Sequence, residues 1–235
     1  MKLEVGKNLF DDYAWKARVL PALICIAPAV LTASVVGYLD GSILLFSILG
    51  GLGVIFFTAQ LVRSLGRARE KKLVEQWRGM PTTHLLRFST QQNSSVRDAR
   101  RRKLVSITGI TLPSRRKEAA SPAESDEIYI IATRSLISKV RQRKQDFPRV
   151  HEENINYGFR RNLLALKPVA RAILILLVVF ASALLYLGND TMQVSLVLGI
   201  ALFFAATWGV VTPHWVKDAA DAYADRLFEA LDELA

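Results

Sequence analysis

From Val169 to Leu187 the sequence reads VARAILILLVVFASALLYL, with Arg171 as its one charged side chain. A run of that length and composition crosses about 30 Å of hydrocarbon as a helix. The residues before it, HEENINYGFRRNLLALKP from His151 to Pro168, have the character of a membrane–water boundary. Tyr157 and Phe159 are rings of the kind that sit at headgroup level. Arg160, Arg161 and Lys167 can lay their stems on lipid while their heads stay in water. Pro168 suits the first turn of a helix, where a missing N–H is not needed. Arg171 lies within a turn of this boundary and is placed to snorkel.

Three further apolar blocks, Val19–Leu39, Ile43–Val62 and Val194–Val211, have similar character. Asp40-Gly41-Ser42 joins the first two, and Gly188-Asn189-Asp190 joins the last two. The fold class expected is therefore all-α: a polytopic membrane protein with four transmembrane helices in two hairpins and a mainly helical cytoplasmic insert. Residues 1–18 read as a cytoplasmic or interfacial segment with a short helix from Leu9 to Lys16. Residues 19–62 are the first hairpin, 63–168 a basic domain, 169–212 the second hairpin and 213–235 an acidic amphipathic tail. The first apolar run is longer than a signal-peptide core and is followed at once by a second, which predicts a retained helix pair. Pro28, inside the first span, is expected to kink it.

Charge sets the orientation. Residues 63–167 hold 24 Lys/Arg against 10 Asp/Glu, a formal balance of +14, whereas residues 168–235 come to −4. Neither hairpin turn contains Lys or Arg. The positive-inside rule then puts both termini and the basic domain in the cytoplasm of a bacterial inner membrane.

Within the insert, SLGRAREKKLVEQW is expected to extend the second span, with Gly79-Met80-Pro81 stopping it and Thr82-Thr83 capping the next element. Val96–Ile107 reads as helix and Gly109–Ser125 as loop. Asp126–Gln145 reads as a long helix, because Ile128, Ile131, Leu136, Ile137 and Val140 recur at helical spacing. In the tail, Trp215, Tyr223, Leu227 and Leu231 share a face opposite the acids, so the helix is expected to dock on the basic insert of its own or a neighbouring chain.

No catalytic pattern is present, so no enzyme, cofactor or metal is expected. His84, His151 and His214 stand far apart, and Cys25 is the only cysteine. The run Arg100, Arg101, Arg102, Lys103, with Arg160 and Arg161, is the candidate anion- or lipid-binding set, since crowded cations gain from an anionic partner. Three partners fit it: membrane lipid, the acidic tail, and a nucleotide or nucleic acid. Gly50, Gly51 and Gly53, and the stripe Ala201, Ala205, Gly209, are the candidate helix-packing surfaces, and they predict a homo-oligomer.

Two stretches, PTTHLLR (81–87) and ENINYGFRRNL (153–163) running into Leu166-Lys167-Pro168, together with Trp15-Lys16-Ala17-Arg18, resemble a family of small, mostly uncharacterised bacterial membrane proteins with two membrane hairpins around a cytoplasmic insert. The layout is also similar to the multi-helix membrane effectors of bacterial anti-phage defence. That resemblance implies a non-enzymatic, membrane-perturbing or channel-like oligomer. The alternative is a membrane anchor whose basic domain recruits a cytoplasmic protein or nucleic acid.

Overall fold

The computed structural model describes residues 12–37, 41–90 and 93–234, with the side chains of 41–56 outside that description. Among these residues the secondary structure is helical: α1 (Asp12–Val35), α2 (Gly41–Trp77), α3 (Pro81–His84), α4 (Ser94–Thr108), α5 (Arg115–Ala120), α6 (Pro122–Gln142), α7 (Pro148–Tyr186), α8 (Thr191–Val210), α9 (Pro213–Glu229) and α10 (Leu231–Leu234). The chain forms two compact units. One comprises Met1–Lys71 and Gly158–Val216, and the other Lys72–Tyr157 and Lys217–Ala235.

The first unit is apolar. Its helices α1, α7 and α8 are each long and apolar enough to cross a membrane. Their outward faces carry Ile175, Leu176, Leu202 and Phe203 almost bare, with Leu202 at 73% exposure, a surface that suits lipid and not water. Inward, Ala181, Leu184, Val194 and Val197 pack together with Val35, Val36 and Phe180. The turn between α7 and α8 is closed by Gly188 in the left-handed region (φ +74°), and Asp190 Oδ1 caps the next helix by accepting from the Met192 N–H at 3.0 Å.

Several boundaries differ from the sequence expectation. Helix is already present at Asp12, the first described residue, and it runs into the first span through a π-helical stretch at Trp15–Val19. Pro168 lies inside α7 and not at a helix start; the boundary segment and the third span are one helix, as membrane helices tolerate proline where neighbours re-satisfy the freed backbone groups. The expected second span falls within α2, whose side chains over 41–56 are outside the description. So are the packing surfaces of Gly50, Gly51 and Gly53, Asp40 of the expected Asp40–Ser42 turn, whose other two residues belong to α2, and the start of the Leu9–Lys16 helix.

The second unit is a small helical domain. Its core joins Leu86, Leu104, Tyr129, Leu136 and Phe147 to Leu227, Phe228 and Leu231 of the tail. The apolar face of α9 and α10 is thus part of the same core as the insert, within one chain. α4 is capped by Asn93, whose Oδ1 accepts from the Ser95 N–H at 2.9 Å, and it ends at Gly109 (φ +71°). The expected loop 109–125 is partly ordered as α5 and the first turn of α6, which starts on Pro122 as an N1 proline. Ile131, expected on the inner face of α6, is 55% exposed. Thr82 and Thr83 do not cap a helix; they are buried in the single turn of α3.

Candidate functional site in the polar unit

The Arg100–Lys103 run sits on α4, and the fold buries one of its four cations. Arg101 is 9% exposed. It donates to the carbonyl oxygens of Leu86 (2.7 Å) and Pro113 and to the Tyr129 hydroxyl (2.8 Å). Its guanidinium also lies 4.2 Å from the Phe88 ring centroid, and Arg97 lies 4.6 Å from the same centroid. A buried guanidinium is tolerable only when its donors are met, and Arg101 meets them with two main-chain carbonyls and a phenol.

Arg100 and Lys103 face the tail. Arg100 pairs with Asp225 at 2.9 Å and Lys103 with Asp232. Arg102 is exposed and, among the described residues, has no side-chain partner. The folded unit holds 19 Lys/Arg against 15 Asp/Glu, because the tail, at −4, offsets half of the +8 carried by residues 72–157.

Tyr129 leads to a buried carboxylate. Its hydroxyl donates to Glu118 Oε2 at 2.5 Å, and the backbone N–H groups of Phe88 and Ser89 donate to the same carboxylate, each at 3.0 Å. Burial pushes the Glu118 carboxyl up, but these hydrogen bonds outweigh it and hold the group below the usual carboxylate range. Burial pushes the Tyr129 hydroxyl up to about 12, reinforced by Glu118 and opposed by Arg101. Neither residue stands out in the sequence: Glu118 lies in a Ser/Ala-rich stretch that reads as loop, and Tyr129 is off the isoleucine pattern of its helix.

Beside this network lies a cleft of about 450 Å³ whose lining includes Arg78, Arg87, Phe88, Arg115, Glu118 and Asp126. Of the PTTHLLR stretch, Arg87 reaches this lining. Met80 is extended (φ −73°, ψ 149°) ahead of Pro81, as a residue before proline prefers. One helical turn later, Arg87 forks onto Asp126, with Nε to Oδ1 at 2.7 Å and Nη2 to Oδ2 at 2.5 Å. That pairing holds the Arg87 guanidinium protonated above its ordinary range. His84 Nε2–H donates to the Arg78 carbonyl oxygen at 3.4 Å, while burial pushes the imidazole below its ordinary value.

The end of α2 places Arg78 in that lining. The Gly79 N–H donates to the Val74 oxygen at 2.9 Å and the Arg78 N–H to the Glu75 oxygen at 3.1 Å, the hydrogen-bond pair of a Schellman cap. That cap wants glycine at the left-handed position, yet Arg78 occupies it (φ 58°) and the glycine comes one residue later. The left-handed conformation costs a side-chain-bearing residue about 1–2 kcal/mol. Gly79 is needed where it stands, because its φ of +130° is strained for any residue with a Cβ, and a Cβ there would also come within 2.8 Å of Arg87 Nη2.

In the apolar unit, the remaining candidate cations are also engaged. Arg160 donates to the Trp215 carbonyl oxygen at 2.9 Å and lies 4.7 Å from that ring's centroid. Arg161 pairs with Glu70 at 3.0 Å, and Lys167 donates to the Val211 oxygen at 2.6 Å. Gly158 lies against Tyr13 and Ala17: a Cβ there would be 2.6 Å from the tyrosine oxygen. The YGFRRNL stretch is thus the cross-brace of its own helix bundle. Of the α8 stripe, Ala201 is buried, whereas Ala205 and Gly209 are exposed.

Among the described residues no group of three or more His, Cys, Asp or Glu is placed to hold a metal ion. Compared with known protein families, curated proteins and solved structures, the chain shows no match.

Proposed function

We propose that this chain is a non-enzymatic membrane effector of bacterial anti-phage defence, working as a homo-oligomer that permeabilises the inner membrane. In this reading α2 supplies a fourth crossing through Ile43–Val62, both termini and the polar unit are cytoplasmic, and the polar unit receives the activating signal. The observation that carries it is the outer surface of α7 and α8. Large apolar side chains there alternate with the exposed small residues Ala205 and Gly209, which let a second helix approach closely. The described spans carry few charged groups, so several copies are needed to line an aqueous path. The resemblance of PTTHLLR and ENINYGFRRNL to two-hairpin membrane proteins points the same way.

The test is reconstitution into dye-loaded vesicles, with planar-bilayer conductance alongside. Leakage that rises with the protein-to-lipid ratio and is lost in Ala205→Leu supports the reading. Intact vesicles at every ratio, with the protein inserted and oligomeric, favour a membrane anchor that recruits a cytoplasmic partner through the polar unit.

A further inference from the structure

The cleft bounded by Arg78 and Arg115 differs from the Arg100–Lys103 run and the Arg160–Arg161 pair in one respect. Its two acids are already engaged. Asp126 is held by both nitrogens of the Arg87 fork, and Glu118 by two backbone N–H groups and the Tyr129 hydroxyl. Among the described residues, Arg78 and Arg115 have no side-chain hydrogen bond or ion pair, and both line the cleft. The uncompensated charge of the cleft is therefore positive, although its acids and arginines are nearly equal in number.

The backbone adds a second, independent observation. A glycine at position 78 would complete the helix cap without strain. The chain instead holds an arginine in the left-handed conformation at the edge of the cleft. Strain that local packing does not require concentrates at ligand sites. The cleft volume is in the range that holds a small ligand. Guanidinium groups match phosphate oxygens in pairs as they match carboxylates, and two of them balance the charge of about −2 that a phosphate carries and a single carboxylate does not.

We propose that this cleft binds a phosphate-bearing molecule of about nucleotide size, gripped by Arg78 and Arg115. Arg87 is a positioning residue, fixed by Asp126 and fitted against Gly79. Phe88 contributes part of the wall, with Arg97 and Arg101 already against its ring. The phosphate has two possible sources, a soluble nucleotide and a lipid headgroup. The binding site does not depend on bilayer permeabilisation; only its role as the signal input rests on the proposed function.

The experiment is calorimetric titration of the full chain in detergent with ATP, with pyrophosphate and with short-chain phosphatidylglycerol. Wild type should bind at least one probe. Arg78→Gly and Arg115→Ala should each weaken that binding by about tenfold or more, as expected for losing a charge-assisted grip. Arg116→Ala, an exposed cation on the same short helix, should change it less than about twofold. Arg78→Gly should also raise the thermal midpoint while it weakens binding, a combination that damage to the fold does not produce. Preference for ATP over the lipid assigns a soluble ligand, and the reverse assigns a headgroup. Absence of binding by all three probes overturns the proposal. So does equal binding in Arg78→Gly and Arg115→Ala, or an equal loss in Arg116→Ala, which would indicate unspecific surface charge. Leakage measured on the same variants reads the membrane activity separately, so binding without leakage rejects the effector reading and leaves the site standing.

Discussion

Asn162 and Gly66 fit each other atom to atom: a Cβ built on Gly66 would stand 1.9 Å from Asn162 Oδ1. The same amide donates from Nδ2 to the Ala17 carbonyl oxygen at 2.5 Å, so one fully buried side chain holds α1 while resting on bare backbone of α2. Its Oδ1 has no N–H or O–H donor in the described structure, and its close neighbour is the Gly66 backbone, where Cα–H groups make weak contacts of this kind.

Gly66→Ala is therefore expected to destabilise the apolar unit by about 1–3 kcal/mol, the range for overpacking a filled site. In an Asn162→Ala background the added methyl has room, and most of that loss should vanish. Thermal unfolding of the four proteins in one detergent gives the coupling directly. Additive effects would mean that the two residues do not share a contact.

The Glu118–Tyr129 pair predicts opposite dependences at the two ends of the pH scale. Tyr129 is held up to about 12 when folded, whereas in the unfolded chain it ionises near about 10. Between these values the unfolded state releases its proton first, so its contribution is complete below about pH 10 and is lost as pH rises towards 12. At about 1.4 kcal/mol per pH unit, the ceiling is about 2–3 kcal/mol. Tyr129→Phe should flatten that alkaline slope. Glu118 is held low, so its contribution is present above the unfolded carboxylate value and is lost as pH falls through the lower, folded one. Glu118→Gln should flatten the acid side alone. Near-UV circular dichroism melts across pH 3–11 check both, and unchanged slopes in the variants would disconnect the pair from stability.

How much of this is legible in the sequence depends on the kind of interaction. The apolar runs around Val19, Val169 and Val194 announce membrane-length helices because length and composition alone define them. The tail's amphipathic face is legible for the same reason, since Leu227 and Leu231 recur at helical spacing, although Phe228 beside them is equally buried and off the pattern. Gly66 is not legible: it sits in SLGRAREKK, where nothing marks it as the seat of Asn162. Nor does a charge count show that Arg101 is a core residue. Four adjacent cations look like one patch, but on a helix they point in different directions, so one enters the core, two meet the tail and one stays in solvent. Arg78 and Arg115 are far apart in sequence and meet only because the end of α2 and the start of α5 fold against the same wall.

Orientation has a direct test. With the hairpin turns free of Lys and Arg and the polar unit rich in them, reporter fusions after Ser121 and after Asn189 should report opposite sides, Ser121 cytoplasmic and Asn189 outside. Signals from the same side for both would remove the positive-inside assignment and with it the cytoplasmic input of the proposed function.

The last prediction separates what anchors the tail from what aligns it. Phe228 is 2% exposed in the core shared with Leu104 and Tyr129, and Leu227 is fully buried there. The ion pair Arg100–Asp225 is a surface contact, with the Asp225 side chain 53% exposed. Removing a buried phenylalanine costs about 3–5 kcal/mol, whereas an exposed pair contributes about 0–1 kcal/mol. Phe228→Ala should therefore release α9 and α10 and open the insert to limited proteolysis at Arg100–Lys103, while Asp225→Asn should leave the cleavage pattern nearly unchanged. High salt, which screens exposed charges, should not by itself free the tail of the wild-type protein. A protease-sensitive Asp225→Asn beside a resistant Phe228→Ala would reverse the order of forces, and the tail would then be a charge-held latch and not part of the core.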